Sequence, residues 1–413
     1  MKTPLNKNVT GAYNYCGVLA LAAKPEAAYY AAIPEADHAG SVTRAGKQAI
    51  MPTEGEGPAF DTAKAEAFAN KLVTAINNGA LCLMASVGHR VGLFDVMHGL
   101  PPSTSEEIAR KADLNERYVR EWLGAMVTAE VVEVDPTSTR YALPAEHAAH
   151  LTRAVGADNI ALWTQYIPVL AGVEDEIVEC FSKGGGVPYE KFPRFHTVIA
   201  EDSGLFAMSS LESHVLPLVP GLSDRLVQGI RVLDVGCGSG RVMNRLAALY
   251  PNSRFVGMDL SREAIATARG EASQKSLRNV EFVEMDLTGF DQTAEPEAFD
   301  LITAFDAIHD QARPLSVLKG ISRALKSDGI YLMKDIRGSS HVRDNIGHPV
   351  GTFLYTCSTM HCMTVSLAQG GEGVGSMWGE EMAYDYLQKA GFRSIETKQL
   401  PQDISNNWYV VRK

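Results

Sequence analysis

The segment Val232-Leu-Asp-Val-Gly-Cys-Gly-Ser-Gly240 constrains this chain more than any other. An apolar run carries one acid, Asp234, and leads into Gly236, Gly238 and Gly240, after which a helical pattern starts near Arg241. Glycines at such a turn adopt backbone angles that side chains forbid and let the chain approach a ligand closely. Strand, glycine turn and helix in that order form the ligand corner of a doubly wound sheet, where ligands sit outside the carboxyl ends of the strands. The sequence downstream agrees. Strands are predicted at 230–235, 254–258, 280–283, 301–304, 330–334, 394–398 and 408–411, mostly with helical patterns between them. That alternation implies a largely parallel sheet and an α/β fold. The last two strands are close enough in sequence to form an antiparallel hairpin at one edge.

Acids recur at the same rim. The second strand ends at Asp259, 23 residues after Gly236, where an acid can take ribose hydroxyls, and the third ends at Glu284-Met-Asp286. A dinucleotide site wants a third glycine where Arg241 stands, and Asp234 would repel a pyrophosphate. The same carboxylate suits a cationic ammonium group. With these motifs in order, residues 230–413 resemble the class I S-adenosylmethionine-dependent methyltransferases. The resemblance implies a Rossmann-like domain with a mostly parallel seven-stranded sheet and S-adenosylmethionine as cofactor. It implies that Gly236 and Gly238 bring backbone against the methionyl part, with Asp234 nearby. Asp259 would hold the ribose hydroxyls, Leu260 would line the adenine, Asp286 would bond its amino group with Leu287 alongside, and Phe305 would close the pocket.

After the fourth strand stands Ala304-Phe-Asp-Ala-Ile-His-Asp-Gln311. It is similar to the His-Asp pair of small-molecule O-methyltransferases with an N-terminal winged helix, which implies His309 as general base, Asp310 beside it and Asp306 at the rim. A histidine titrating near neutrality can take a hydroxyl proton. The bland alternative is that His309 caps the next helix or packs beneath it. An insertion, 337–379, follows Lys334-Asp335-Ile336 and carries Tyr355-Thr-Cys-Ser-Thr-Met-His-Cys-Met363. Long insertions at the ligand rim serve as lids or pocket walls, although a helical packing segment is the ordinary reading. Tyr355, Met360, Cys362 and Met363 suit a small, soft or apolar acceptor, and His361 is a second base candidate. Ahead of the sheet, Tyr189, Phe192 and Phe195 are expected to fold over the cofactor or to mark a domain junction. The sulfur-rich wall favours a small thiol as acceptor over a phenolic hydroxyl. Cys237, Cys357 and Cys362 make a poor thiolate trio for arsenic chemistry, and no compact carboxylate cluster beyond Asp306 and Asp335 points to a metal.

Three regions account for the 413 residues: an arm at 1–60, a mainly helical winged-helix domain at 61–228, and the sheet domain at 229–413. Helices predicted at 63–84, 104–112 and 115–129 precede two short strands at 131–134 and 140–143, a winged-helix order. The third helix carries Tyr118, Val119, Trp122, Leu123 and Met126 on its apolar face. Such a domain can read DNA, but Glu116 and Glu121 offset Arg117 and Arg120 on the recognition helix, and the chain's formal charge is −11. The unit is therefore read as a dimerisation and substrate-cap domain, in a homodimer acting on a small molecule. A non-catalytic cofactor-binding scaffold is the alternative of another class. No apolar run reaches the roughly 18 residues that span a bilayer, and no basic start leads directly into an apolar stretch. Scattered cysteines without a Cys-x-x-Cys pair complete the expectation of a cytoplasmic protein without a membrane partner.

Overall fold

The computed structural model describes residues 60–413, so the arm and its Thr53-Glu-Gly-Glu-Gly-Pro58 stretch lie outside the described residues apart from Phe60. Helix α1 (Thr62–Arg90) is longer than expected. It is also apolar enough to cross a membrane by length and composition, with 22% of the relevant window buried. Alanines and leucines spread through Asn and Thr raise the average without making the unbroken apolar run that the sequence lacks. Phe68, Leu72, Ile76, Leu83 and Val87 are exposed along it at helical spacing.

Helices α2 (Leu93–His98), α3 (Ser105–Ala112) and α4 (Glu116–Thr128) pack on the C-terminal end of α1. Thr104 and Glu107 cap α3 reciprocally, and the Asn115 side chain accepts from Arg117 N at the start of α4. Val119, Trp122, Leu123 and Met126 are buried, and Trp122 Nε1 donates to Met84 O at 2.8 Å. Tyr118 differs from expectation: it falls at the edge of the apolar stripe and is 81% exposed. The wing pairs β1 (Glu133–Val134) with β2 (Tyr141–Ala142), shorter than expected. The turn between them is organised by Asp135, whose carboxylate accepts from Thr139 N and Arg140 N.

The main sheet has seven strands: β3 (Arg231–Val235), β4 (Arg254–Asp259), β5 (Val280–Glu284), β6 (Phe299–Phe305), β7 (Leu325–Ile336), β8 (Ser394–Lys398) and β9 (Asn406–Arg412). Their order is β5-β4-β3-β6-β7-β9-β8, and β9 alone runs against the others. The expected hairpin exists, but only β8 lies at the edge. Six of seven β9 residues are buried, so that strand needs neighbours on both sides, whereas no β8 residue is fully buried. The chain reverses its direction of travel across the sheet between β3 and β6, and this switch point opens the crevice used by ligands.

One apolar cluster fills each face of the sheet. Leu233, Ile302, Tyr331 and Trp378 belong to the first, and Val232, Leu301, Leu332 and Trp408 to the second. Residues Ala207 to Leu226 join the second cluster, so the expected boundary at 228 falls inside one packed core. Residues 63–413 accordingly form one compact unit.

Candidate active site

The glycine corner is built as its sequence requires. Gly236 and Gly240 have φ of 72° and 66°, and a Cβ at either would stand 2.4 Å from Ala307 Cβ or the Phe282 ring. Gly238 also has positive φ, but a Cβ there would meet nothing within 4 Å. The turn is pinned because Gly236 N and Cys237 N both donate to Met258 O. Gly238 N and Ser261 N donate to the two oxygens of Asp259, each at 2.8 Å. Burial pushes the Asp259 carboxyl up, and these two bonds oppose it. Each oxygen keeps a lone pair for a hydroxyl donor.

Asp234 is 4% exposed and accepts from Thr303 Oγ1 at 2.6 Å. Burial pushes its pKa up to about 7, with Asp259 adding to the effect and Thr303 opposing it. A buried carboxyl beside an open glycine and a ribose-type acid fits a ligand that brings an ammonium and hydroxyls. The other expected cofactor contacts are less uniform. Leu260 is 44% exposed, and Asp286 is exposed, accepting from Thr288 N. Leu287, next to Asp286, has its side chain in the core with Phe290. Phe305 packs against Phe206 and Trp408 at 6.2 and 5.5 Å, so its ring belongs to an aromatic cluster rather than a free lid.

At the other end of the crevice, His309 is 3% exposed. Its Nδ1 lies 2.7 Å from Asp335 Oδ1, and that oxygen also accepts from Trp378 Nε1 and Ile336 N. Its Nε2 lies 3.2 Å from Asp310 Oδ1. Burial disfavours charge on this imidazole, but Asp335 and Asp310 prevail and hold its pKa well above the usual histidine range. His309 does not cap the next helix, which starts after Arg313 with Pro314 in its first turn.

The insertion contributes Cys362, which is buried against His309 and Asp310. Burial pushes its thiol up to about 11, so it stays protonated. His361 and Cys362 sit on a π-helical turn, Ser358–Cys362, inside the helical run 351–368. His361 stacks on Phe195 at 3.7 Å with Phe192 at 4.9 Å, and neither ring nitrogen has a partner. Burial lowers its pKa to about 4, so it is neutral.

Tyr189 links the His309 group to the Asp259 end. Its hydroxyl reaches Asp310 Oδ2 at 3.4 Å and its ring stacks on His196, whose Nε2 is 3.2 Å from Ser261 Oγ next to Asp259. Phe192 instead walls His361. Two expected acceptor contacts are committed elsewhere. Asp306, at φ 52°, is held by Asn406 Nδ2 and Lys334 Nζ, both at 2.5 Å, and the Tyr355 hydroxyl accepts from Asn345. Lys334 and Asp335 alternate across β7, which separates the Asp306 pair from the His309 group. The sequence reading missed the bond from Asp335 to His309, together with Trp378 and His196. The available signal was an acid, Asp335, at the end of a mostly apolar run.

Residues 226–391 match a family model described as a methyltransferase domain, and residues 79–153 match one described as an Rv2258c-like winged HTH domain. The chain carries a winged-helix domain and a methyltransferase domain. A ubiquinone biosynthesis O-methyltransferase of Neisseria meningitidis serogroup C is 27% identical over 148 residues, 35% of this chain and 60% of that relative. This chain thus spans 60% of the length of that curated relative. Among solved structures, human N-acetylserotonin methyltransferase in complex with SAM is 20% identical at TM-score 0.58, covering 86% of this chain and 99% of that one. A putative O-methyltransferase from Nostoc punctiforme is 16% identical at TM-score 0.62, covering 83% and 98%. At these identities the likeness is one of fold, and it extends through both the winged-helix and methyltransferase domains.

Proposed function

We propose that this chain transfers a methyl group from S-adenosylmethionine to a hydroxyl oxygen of a small molecule. The observation that carries the reading is the run of contacts from Asp259 through Ser261, His196 and Tyr189 to Asp310 and His309, with Asp234 and the open Gly238 at its cofactor end and Asp335 backing His309. When bound, the cofactor supplies a methyl group already activated on a sulfonium. The chain's part is to hold the reactants in line and exclude water. Asp234 faces the ammonium, the Asp259 oxygens take ribose hydroxyls, and Tyr189 with His196 covers the crevice. Asp335 holds Nδ1 of His309 and helps keep the ring protonated, so Nε2 orients the acceptor's oxygen while Asp310 beside it, its Oδ1 unpartnered, takes the acceptor's proton.

An oxygen acceptor is favoured over the expected thiol by the O-methyltransferase names among relatives and structural neighbours. The thiol reading rested on sulfur in the pocket wall, and no contact in the site favours it. The apolar stripe on α1 supports the homodimer reading. Ion pairs Arg117–Glu121 and Arg120–Glu116 leave the exposed side of α4 without free cations, which supports a chain that does not bind nucleic acid. Mass spectrometry of products formed with the cofactor and a panel of phenols and thiols tests the reading. Addition of one methyl to a phenol supports it. Methylation of thiols alone overturns the oxygen assignment, and no product at all leaves a cofactor-binding scaffold.

A further inference from the structure

The group around His309 has a property that a simple proton acceptor does not require. One ligand-type atom from each of His309, Asp310 and Cys362 lies within 4.8 Å of the other two. The trio combines nitrogen, oxygen and sulfur, and imidazole with thiolate selects zinc-like ions over magnesium or calcium. We propose that His309, Asp310 and Cys362 form a binding site for a divalent transition metal ion, zinc by its ligand set.

Three further observations support the site. Asp335 Oδ1 holds Nδ1 of His309 at 2.7 Å and is itself held by Trp378 Nε1 at 3.0 Å. A carboxylate on the far nitrogen is the usual support of a metal-binding histidine, fixing the ring and leaving Nε2 for the ion. Asp310 Oδ1 is buried and has no hydrogen-bond partner, although Nε2 is only 3.2 Å away. The two atoms face each other without the alignment of a hydrogen bond. Bonds of about 2.0–2.2 Å to a tetrahedral zinc put two such ligands roughly 3.3–3.6 Å apart, so the observed 3.2 Å is within a small shift of two atoms sharing one ion. The hydroxyl of Tyr189 meanwhile steadies the other oxygen of Asp310 at 3.4 Å.

Binding replaces the proton on Cys362 Sγ and any proton on Nε2, both of which pass to solvent. No oxidant or reductant is involved. Three protein ligands leave a fourth position for water. The site itself does not depend on the reaction proposed above, but one consequence does. An ion there occupies Nε2 and Asp310 Oδ1, the pair assigned to the acceptor's oxygen and proton, so loading silences transfer to hydroxyl acceptors.

The test uses the untagged full chain, stripped with a chelator and titrated with Zn2+ or Co2+. Zinc is counted by mass spectrometry after gel filtration, and cobalt is followed by its thiolate charge-transfer absorption. The wild type is expected to retain one ion per chain and to show the thiolate band. Cys362→Ser is expected to lose the band, and Asp335→Asn to weaken zinc binding roughly 10-fold to 100-fold through the support it removes. Circular dichroism confirms that both variants fold. Failure of the wild type to retain stoichiometric zinc overturns the site, as does a cobalt spectrum unchanged in Cys362→Ser. If zinc binds but methylation of hydroxyl acceptors continues at full rate, the inhibitory consequence is overturned. A chain that binds zinc in this way yet methylates nothing keeps the site and loses the methyl-transfer reading.

Discussion

Asp234 concentrates the physics of the cofactor end in one carboxyl group. Its pKa of about 7 stands above the ordinary value near 4 because burial penalises the charge. A carboxyl raised in the fold contributes stability that is full below its ordinary pKa and is lost as pH rises through about 7. The ligand-free chain is therefore expected to lose up to about 4 kcal/mol from this group between acid pH and pH 8, at 1.36 kcal/mol per unit. A bound ammonium favours the charged form, so cofactor binding near pH 6 should release a proton. Calorimetry in two buffers of different ionisation enthalpy measures this; binding with no proton exchange there would remove Asp234 from the ammonium's partners. At this scale the sequence was informative where local geometry rules. The glycines, Asp234 and Asp259 all stand where the motif puts them. It was uninformative about Asp335, whose partner His309 lies 26 residues away and meets it only through strand pairing. The packing of Leu287 and Phe305 was illegible for a related reason: which way an apolar side chain turns at a strand end depends on the core it meets.

Among the elements, strands were readable because buried parallel strands are short apolar runs bounded by turns. The insertion of β9 between β7 and β8 was not, since order within a sheet is set by long-range pairing. The π-turn at 358–362 also leaves no local signature, yet it brings His361 and Cys362 to the site. Helix α1 shows an exposed stripe that the rest of the described chain does not cover. Covering apolar side chains is worth roughly 25 cal/mol per Å2, enough to favour a stripe-to-stripe contact between two copies. Ile76, 62% exposed, is the probe. Ile76→Asp is expected to shift the chain from dimer to monomer in light scattering after gel filtration, with its circular dichroism unchanged. A wild-type chain that runs as a monomer would contradict the dimer.

For the molecule as a whole, charge and length take on local meaning. The net charge of −11 disfavoured nucleic acid in general terms, and the paired arginines of α4 supply a specific reason. The two expected domains share a packed core, because the helices before β3 are buried against the sheet. The winged helix and the sheet are thus parts of one body, with Tyr189 and His196 running over the crevice from the helical side. The central claim is that this body moves a methyl group and that His309 serves the acceptor. Turnover of wild type and His309→Ala with methyl-labelled cofactor and a phenol acceptor tests it most directly, with cofactor affinity measured alongside. The account predicts labelled ether from the wild type and a loss of roughly 10²–10⁴ in turnover for His309→Ala at unchanged cofactor affinity. Full turnover in the variant, or a wild type that binds cofactor and labels nothing, would contradict it.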